Sequence, residues 1–374
     1  MKNFAYPLFF LSVLFFAGIS MAQPGVYIIG GHVPPPKDGK RLTLHVFDPV
    51  SQEKSLTAMA TVNADGSFRL GYPFHGPELY TMTFPGGQEV MFAVDEGQNN
   101  IVLNMGENSD TIEISGSPDS EKLRGYELFR TKSFRRLVQP TYDAMKSAGD
   151  AGDKLAGIEA VAAYAKASEQ HRRELLDYTA KYIGASIALY GTVLRWTGDD
   201  EVARLEKLVN DFAAGHPELK MTQVMLDKVA RFKKVAIGAP APPIVEKDKN
   251  GSTLSLHDVK GKVTLVDFWA SWCGPCLRQI PDMKEAYAAY HSKGFEIFGV
   301  SVDSEMDRWK GALEKYEMTW PNVSGLKGWA SEAAADYNVT FVPFNMLLDE
   351  QGNIIAKNLH GKALQSKLRE LLRK

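Results

Sequence analysis

The sequence predicts three structural units in succession: an all-β, sandwich-like domain, a helical connector and a carboxy-terminal α/β domain. Short runs of alternating polar and apolar residues, separated by turn residues, fill the amino-terminal part. Helical periodicity follows over residues 119–235, and strands alternate with helices over residues 236–374. The chain has 374 residues, which is long enough for two or three domains.

The first 22 residues have the pattern of an export signal. Lys2 precedes an apolar run over residues 4–19, and Ser20-Met21-Ala22 supplies small residues before a cleavage point. An uncleaved membrane anchor is the alternative, but the run is shorter than the roughly 20 residues that span a bilayer. We therefore expect a signal peptide at 1–22 and a mature chain from Gln23. That chain should be exported, without stable membrane insertion after cleavage.

Residues 23–118 are predicted to form the all-β domain. Alternating runs such as Arg41–Phe47 and Leu79–Phe84 are separated by turn dipeptides, among them Asp65-Gly66. This spacing favours antiparallel strands joined by short turns. The sequence of this domain contains no recognisable catalytic constellation and predicts no activity for it.

The helical connector covers residues 119–235. Good helix formers continue through it, with breaks near residues 149–152 and at His216-Pro217. Apolar residues at helical spacing form a stripe that includes Leu175, Tyr178, Ile183 and Ile187. We interpret the connector as a set of helices that pack on their neighbours, and a peptide-binding groove is the alternative.

Charge and cysteine content narrow the functional classes. The chain has 43 basic and 45 acidic residues, so its net charge of −2 provides no positive field for nucleic acid or anionic lipid. Only two cysteines are present, Cys273 and Cys276, which excludes a disulfide framework. In an oxidising compartment these two would form a disulfide unless a reductant keeps them reduced.

The two cysteines follow a predicted strand, Val263–Trp269, and open a predicted helix. Unpaired N–H groups and the dipole at a helix amino terminus favour an anion, so we expect a lowered thiol pKa and a nucleophilic thiolate at Cys273. Cys276 lies one turn later. We expect it to be the resolving cysteine, which attacks the mixed disulfide and releases the reduced partner.

A structural disulfide and a metal site are the alternatives for this pair. A disulfide across two residues closes a very small loop and would add little stability. A metal site needs three or four ligands, and none of the eight histidines lies near the pair in sequence. We therefore interpret Cys273 and Cys276 as a redox-active pair that needs no metal and no bound cofactor.

The residues around the pair resemble thioredoxin. The resemblance rests on Asp267-Phe268-Trp269-Ala270, on Trp272-Cys273-Gly274-Pro275-Cys276 and on Pro281. Flanking residues, including Trp320-Pro321, are similar to the exported TlpA/ResA branch over about residues 236–374. The resemblance implies an α/β thioredoxin-like fold at the carboxy terminus and thiol-disulfide oxidoreductase activity. The preceding β region resembles an uncharacterised domain often fused ahead of such modules, which implies no activity.

The resemblance also implies roles in substrate docking. Val342-Pro343 matches the cis proline that faces the cysteines, and the backbone of Val342 would pair with an extended substrate segment. Trp272 would form part of an apolar collar, and Trp269 belongs either to this collar or to the core. Phe344 departs from the family pattern, because a small hydroxyl residue usually follows the proline, and we expect substrate selection to differ here.

Proton transfer is the second departure from the pattern. Exported members commonly carry a glutamate three residues after the second cysteine, whereas this chain has Gln279, which cannot ionise. Asp267 matches the buried aspartate of thioredoxin. Burial should raise its pKa toward the working pH, so that it can take the Cys276 proton as the catalytic base. Pairing of Asp267 with Lys262 or Lys293 is the alternative.

These observations predict an exported thiol-disulfide oxidoreductase that reduces disulfides of other exported proteins. The Gly-Pro dipeptide between the cysteines is that of thioredoxin, a reductant at about −270 mV, rather than of the oxidant DsbA near −120 mV. A membrane protein is the expected electron donor. The alternatives are a disulfide oxidase or isomerase, and a ligand-binding protein with a vestigial redox module.

Overall fold

The computed structural model describes residues 25–35, 40–106, 111–150, 154–193, 196, 201–259 and 261–373. The expected signal peptide at 1–22 lies outside the described residues. Within the described ranges, every helix is too short or too polar to cross a membrane.

The amino-terminal domain is all-β, as the sequence predicted, and its strands form two four-stranded sheets. Their bounds are β1 Val26–His32, β2 Arg41–Phe47, β3 Lys54–Thr61, β4 Ser67–Pro73, β5 Glu78–Thr83, β6 Glu89–Val94, β7 Asn100–Met105 and β8 Ile112–Ser115. One sheet has the order β4-β1-β7-β8 and the other β3-β2-β5-β6. Side chains of both sheets, such as Ile29 and Leu70 of the first and Leu44 and Phe92 of the second, share one core. The domain is therefore a β-sandwich.

One strand pair of the sandwich differs from the antiparallel prediction. β1 runs parallel to β7, with Ile28 opposite Asn100, whereas the other strand pairs of both sheets are antiparallel. The strands approach closely at Gly31, where a Cβ atom would collide with the carbonyl group of Leu103. Side chains alternate in the same way in both kinds of pair, so the sequence pattern could not distinguish them.

The connector is helical, and its core is separate from the main core of the sandwich. Its helices are α1 Pro118–Asp150, α2 Lys154–Tyr178, α3 Ala188–Val193, α4 Val202–Gly215 and α5 Lys220–Lys234, with a π-helical turn at Thr179–Ile183. The predicted stripe is buried at Ile183 and Ile187, and Leu175 and Tyr178 pack against the same cluster. This core also contains Leu79 of the sandwich. The stripe therefore packs on neighbouring elements and does not line an open groove.

The carboxy-terminal domain is α/β and thioredoxin-like. Its elements are β9 Val245–Lys247, β10 Thr253–Ser255, α6 Leu256–Val259, β11 Val263–Trp269, α7 Gly274–Tyr290, β12 Phe295–Ser301, α8 Met306–Lys315, β13 Asn322–Val323, α9 Glu332–Asp336, β14 Phe344–Leu348, β15 Ile354–Lys357 and α10 Gly361–Leu371. The main sheet has the order β13-β12-β11-β14-β15. β11 runs parallel to β12 and antiparallel to β14. All residues of β11 are buried, because both faces of this central strand are covered.

Residues 238–243, whose prolines predict a linker between the helical connector and the carboxy-terminal domain, are hydrogen-bonded to the main sheet. Gly238 N–H donates to the carbonyl oxygen of Ile354 at 2.7 Å, and Ile354 N–H donates to the carbonyl oxygen of Ala239 at 2.9 Å. At the opposite margin of the sheet, Ser324 N–H donates to the carbonyl oxygen of Lys247 at 3.0 Å. Residues 238–247, here named the edge strap, therefore contact the sheet beside β15 and beside β13.

Candidate active site

Cys273 and Cys276 lie at the amino terminus of α7 and are joined by a disulfide. Cys273 is the N-cap residue, and Pro275 lies in the first turn of α7. N–H groups in the first turn have no acceptor within the helix, so the missing N–H of Pro275 costs the helix no hydrogen bond. The N–H of Cys276 donates to Sγ of Cys273 at 3.2 Å. The sulfur thus accepts one of the amide groups that a helix start leaves unpaired. The same amide would stabilise a thiolate at Cys273 after reduction.

Both cysteines are largely buried in this oxidised form. Cys273 is 5% exposed and Cys276 is 4% exposed, so exposure does not distinguish the attacking sulfur from the resolving one. Their positions differ, because Cys273 caps the helix and Cys276 lies inside its first turn. Helix-terminal stabilisation of a thiolate therefore favours Cys273 as the attacking residue.

Asp303 anchors the loop that precedes Cys273. Its carboxylate, which is 1% exposed, accepts hydrogen bonds from the Ser271 N–H at 2.9 Å and from the Ser271 hydroxyl at 2.6 Å. The Ser301 hydroxyl donates a third bond at 2.7 Å. A buried carboxylate satisfied by several donors holds its surroundings in one arrangement. The sequence reasoning missed Asp303, although a carboxylate at the end of a buried strand beside β11 was a usable signal.

Val342 and Pro343 lie at the same end of the sheet as the cysteines. Their peptide bond is cis, as the resemblance implied, and both residues are half-buried. β14 begins at Phe344, which is opposite Phe268 of β11. Since β11 leads into the redox loop within four residues, the antiparallel pairing brings Val342 and Pro343 to that loop.

Exposed aromatic side chains flank the cysteines and the cis proline. Trp272 and Trp329 are 52% and 49% exposed, with ring centroids 6.2 Å apart. Phe341, 48% exposed, meets the half-buried Phe344 edge-on at 5.8 Å. We name these four residues the aromatic rim. Its rings form an exposed apolar surface beside the redox loop and the cis proline.

Trp269 belongs to the core and not to this rim. It is 1% exposed, and its Nε1–H donates to Oδ1 of Asn322 at 3.1 Å. This hydrogen bond joins β11 to β13 across β12.

Asp267 is buried in the central strand without an ionic partner. Its side chain is 4% exposed, and burial raises its pKa from 3.8 to about 7. Among the ion pairs of the described residues none involves Asp267; Lys262 is exposed, and Lys293 lies over the ring of Tyr290. The alternative pairing with either lysine is therefore absent from this part of the structure.

A buried polar cluster shows which face of the sheet Asp267 occupies. Asp267 is directly opposite Asn345 of β14, and residues opposite each other project to the same face. Asn345 Nδ2 donates to the carbonyl oxygen of Leu359 at 2.9 Å and lies 3.4 Å from Nδ1 of His360. Nδ1 of His360 is in turn 3.0 Å from Oε1 of Gln279 in α7. Asp267 therefore lies on the face that α7 covers.

The side chains of Gln279 in α7 and of His360, just before α10, are both buried. They are 5% and 7% exposed, and burial lowers the pKa of His360 from 6.5 to about 4, so its ring is neutral at pH 7. Gln279 lies one turn after Cys276, and its Nε2 is buried without a hydrogen-bond partner. The sequence reasoning noted Gln279 but missed His360 and Asn345.

The helical connector contacts the redox helix. α2 packs against α7, and a Cβ atom on Gly157 would lie 3.4 Å from Nε of Arg278. Lys362, at the start of α10, lies 3.8 Å from Glu159 of α2. The connector thus reaches the helix that carries both cysteines. Within the described ranges, no three His, Cys, Asp or Glu residues form a group that could hold a metal ion.

Two family models match the chain. The model described as Redoxin matches residues 236–372, and the domain of unknown function DUF4369 matches residues 27–123. The first covers the carboxy-terminal domain with the cysteine pair. The second covers the β-sandwich and the start of α1.

Individual proteins are similar to the carboxy-terminal domain. The thiol-disulfide oxidoreductase ResA of Bacillus cereus is 34% identical over 145 residues, which are 39% of this chain and 82% of that protein. The thioredoxin domain of a thiol-disulfide oxidoreductase from Bacteroides vulgatus is 36% identical, with 37% of this chain and 98% of that chain covered and a TM-score of 0.35. A thiol-disulfide oxidoreductase from Bacteroides fragilis is 33% identical, with 36% of this chain and 99% of that chain covered and a TM-score of 0.34.

Proposed function

Because the chain belongs to the ResA-type, thioredoxin-like thiol-disulfide oxidoreductases, we propose that it reduces disulfides in other exported proteins. Cys273 and Cys276 cycle between dithiol and disulfide, and the cycle uses no bound cofactor. The observation that carries the proposal is the disulfide at the start of α7, where the Cys276 N–H donates to Sγ of Cys273.

The cycle has two sulfur displacements. The Cys273 thiolate attacks one sulfur of the partner's disulfide, which forms a mixed disulfide and expels one partner thiolate. Asp267 then takes the proton from the Cys276 thiol, and the resulting thiolate attacks Sγ of Cys273. The mixed disulfide breaks, the second partner thiolate leaves, and the Cys273–Cys276 disulfide remains. The partner has gained two electrons, which this chain's dithiol has lost.

Partner docking involves the cis-proline segment and the aromatic rim. The backbone of Val342 pairs with an extended segment of the partner beside its disulfide. Trp272, 52% exposed, packs against apolar side chains of that segment. Such a surface favours disulfides in unfolded or extended chains over those buried in folded domains.

A reducing role requires an electron donor for the cysteine pair and a cellular compartment in which the protein acts. The chain's oxidised pair is returned to the dithiol by a membrane protein that carries reducing equivalents from the cytosol. The export pattern at residues 1–22 supports placement in the periplasm or cell envelope. The Gly-Pro dipeptide between the cysteines supports the reducing direction.

Trapping of the mixed disulfide tests the reaction. In the Cys276→Ser variant the resolving step is absent, so exported proteins should accumulate as covalent complexes through Cys273. Mass spectrometry of the complexes, released by dithiothreitol, then identifies the partners. The matched control is Cys273→Ser, which retains the other cysteine. Equal capture by both variants, or no capture by Cys276→Ser, would refute the proposed roles.

A measured reduction potential tests the direction. Equilibration of the purified protein with thiol-disulfide buffers should give a value near that of thioredoxin, at about −270 mV. A value above about −180 mV would assign the protein to the oxidases or isomerases instead.

A further inference from the structure

His360 makes a hydrogen bond that its own helix does not require. It is the N-cap residue of α10, yet its side chain makes no capping bond to that helix. The ring instead extends to Gln279 in α7, with Nδ1 at 3.0 Å from Oε1. This contact joins two segments 81 residues apart in sequence and reaches α7 one turn after Cys276.

The hydrogen-bond partners fix which atom carries the proton. Asn345 has one amide orientation, because its Nδ2 donates to Leu359 and its Oδ1 accepts from the Leu359 N–H at 2.9 Å. With Oε1 of Gln279 facing the ring, as this structure has it, Nδ1 of the neutral His360 ring carries the hydrogen and donates to that oxygen. The 3.4 Å approach of Asn345 Nδ2 to the same nitrogen is then a contact and not a second hydrogen bond.

The bond from His360 leaves the other end of the Gln279 amide without a partner. Nε2 is buried and unbonded, although Gln279 is only 5% exposed. A buried donor without an acceptor is unfavourable and therefore calls for a functional explanation. The Gln279 side chain lies on the same helix as Cys276, one turn later, and on the sheet face that also carries Asp267.

We propose that His360 is a positioning residue of the redox site, which holds the Gln279 amide so that its N–H groups face the negative charge that moves between Asp267 and Cys276. This inference rests on the proposed function. As Asp267 takes the proton of Cys276, the negative charge passes from the carboxylate to the sulfur, and the dipole of a fixed neutral N–H on the same face of the sheet stabilises that charge without a direct hydrogen bond. A neutral donor adds no second charge to compete with Asp267.

The groups around Asp267 fit this role. Its sheet neighbours are Gly299 of β12 and Asn345 of β14, neither of which ionises. α7 contributes the two cysteines as titratable groups on this side, and the segment before α10 contributes His360. Burial alone raises the pKa of Asp267, and burial also keeps His360 neutral above about pH 4. Asp267 is thus the carboxylate whose ionisation governs the step near neutral pH.

Variants of His360 distinguish the effect of losing the hydrogen bond from the effect of changing the shape of the side chain. His360→Asn keeps an N–H donor near the position of Nδ1, whereas His360→Leu removes the donor. His257→Leu is the matched control, because His257 is exposed in the same domain. The assay is reduction of insulin disulfides, with kcat and KM measured from about pH 5 to 9. Denaturant unfolding confirms that each variant is folded.

We expect His360→Leu to lower kcat about tenfold, the equivalent of one lost hydrogen bond, with little change in KM and a displaced midpoint of the pH profile. His360→Asn and His257→Leu should stay within about twofold of the wild type. Gln279→Met removes the acceptor of the same bond and should match His360→Leu, so it replaces that variant if His360→Leu does not fold.

The inference is overturned if His360→Leu leaves kcat and the midpoint of the pH profile unchanged; Gln279→Met takes its place where His360→Leu does not fold. It is also overturned if His360→Asn is as slow as His360→Leu. In both cases the wild type still reduces insulin and traps partners. Loss of those two activities from the wild type would instead refute the proposed function.

Discussion

Replacement of Asp267 by asparagine should stabilise the oxidised protein, and increasingly so as the pH rises. The carboxyl group ionises at about pH 7 in the folded protein, against 3.8 for an ordinary aspartate, because it is buried. Each pKa unit corresponds to about 1.4 kcal/mol, so the folded state carries a penalty of about 4 kcal/mol above pH 7. Asparagine has nearly the same volume and cannot ionise, so the variant lacks this penalty.

The direction of the pH dependence follows from proton binding. Between pH 3.8 and about 7 the folded protein holds a proton on Asp267 that the unfolded chain has lost, so stability falls as the pH rises. His360 has the opposite effect. Its pKa is about 4 folded and 6.5 unfolded, so between these values the unfolded chain binds the extra proton and stability falls as the pH falls. The two effects oppose each other below pH 6.5, and the difference between wild type and variant isolates Asp267.

Urea unfolding of the oxidised proteins provides the measurement. Tryptophan fluorescence follows the relevant domain, because most tryptophans lie in residues 261–373. The free energy of unfolding of the variant should exceed that of the wild type by about 2 kcal/mol at pH 5 and by about 4 kcal/mol above pH 7. Asp258→Asn, at an exposed aspartate of α6, is the control and should show no such trend. A difference between Asp267→Asn and wild type that stays constant from pH 5 to 9 would refute the reasoning.

Three further substitutions have expected outcomes. Asp303→Ala leaves the Ser271 and Ser301 donors without their acceptor and should lower the free energy of unfolding by about 2–3 kcal/mol in urea. Trp272→Ala removes an exposed ring of the aromatic rim and should raise the KM for insulin about fivefold, with kcat nearly unchanged. Phe344→Thr restores the small hydroxyl residue usual in the family, but the loss of ring packing should lower the unfolding free energy by about 2 kcal/mol.

Matched controls accompany these three substitutions. Asp307→Ala alters an exposed aspartate of α8. If it lowers the free energy of unfolding as much as Asp303→Ala does, the anchoring role of Asp303 is contradicted. Val245→Ala removes an exposed apolar side chain in the edge strap, and an equal rise in KM would argue against docking on the rim. Phe341→Thr, at an exposed ring, should cost less than about 1 kcal/mol. A cost as large as in Phe344→Thr would show that the packing of Phe344 is not the cause.

The redox pair could be found in the sequence because its signals are local. A buried strand, a helix start and both cysteines occupy fourteen consecutive residues, Val263 to Cys276. Burial of Asp267 was predictable for the same reason, since a single carboxylate interrupts an apolar strand. Its pKa of about 7 follows from that burial.

Contacts between distant segments were not predictable in this way. His360 and Gln279 meet only because the chain path brings the start of α10 beneath α7. The parallel pairing of β1 with β7 likewise depends on the order of strands and not on their side-chain pattern. The hydrogen bonds of the edge strap were likewise not predictable, because its prolines are typical of linkers and the bonds to β15 involve Gly238 and Ala239, which precede the prolines.

The edge strap also determines where an independent fragment of this protein can begin. This one short segment covers both edges of the main sheet. It is hydrogen-bonded to Ile354 of β15 at one edge, and it accepts a hydrogen bond from the Ser324 N–H, beside β13, at the other. A fragment that starts after Lys247 would leave both outer strands with unpaired amide and carbonyl groups, which recruit strands from other molecules. Such a fragment should form oligomers with rising concentration, whereas one that starts at Ala236 should remain monomeric.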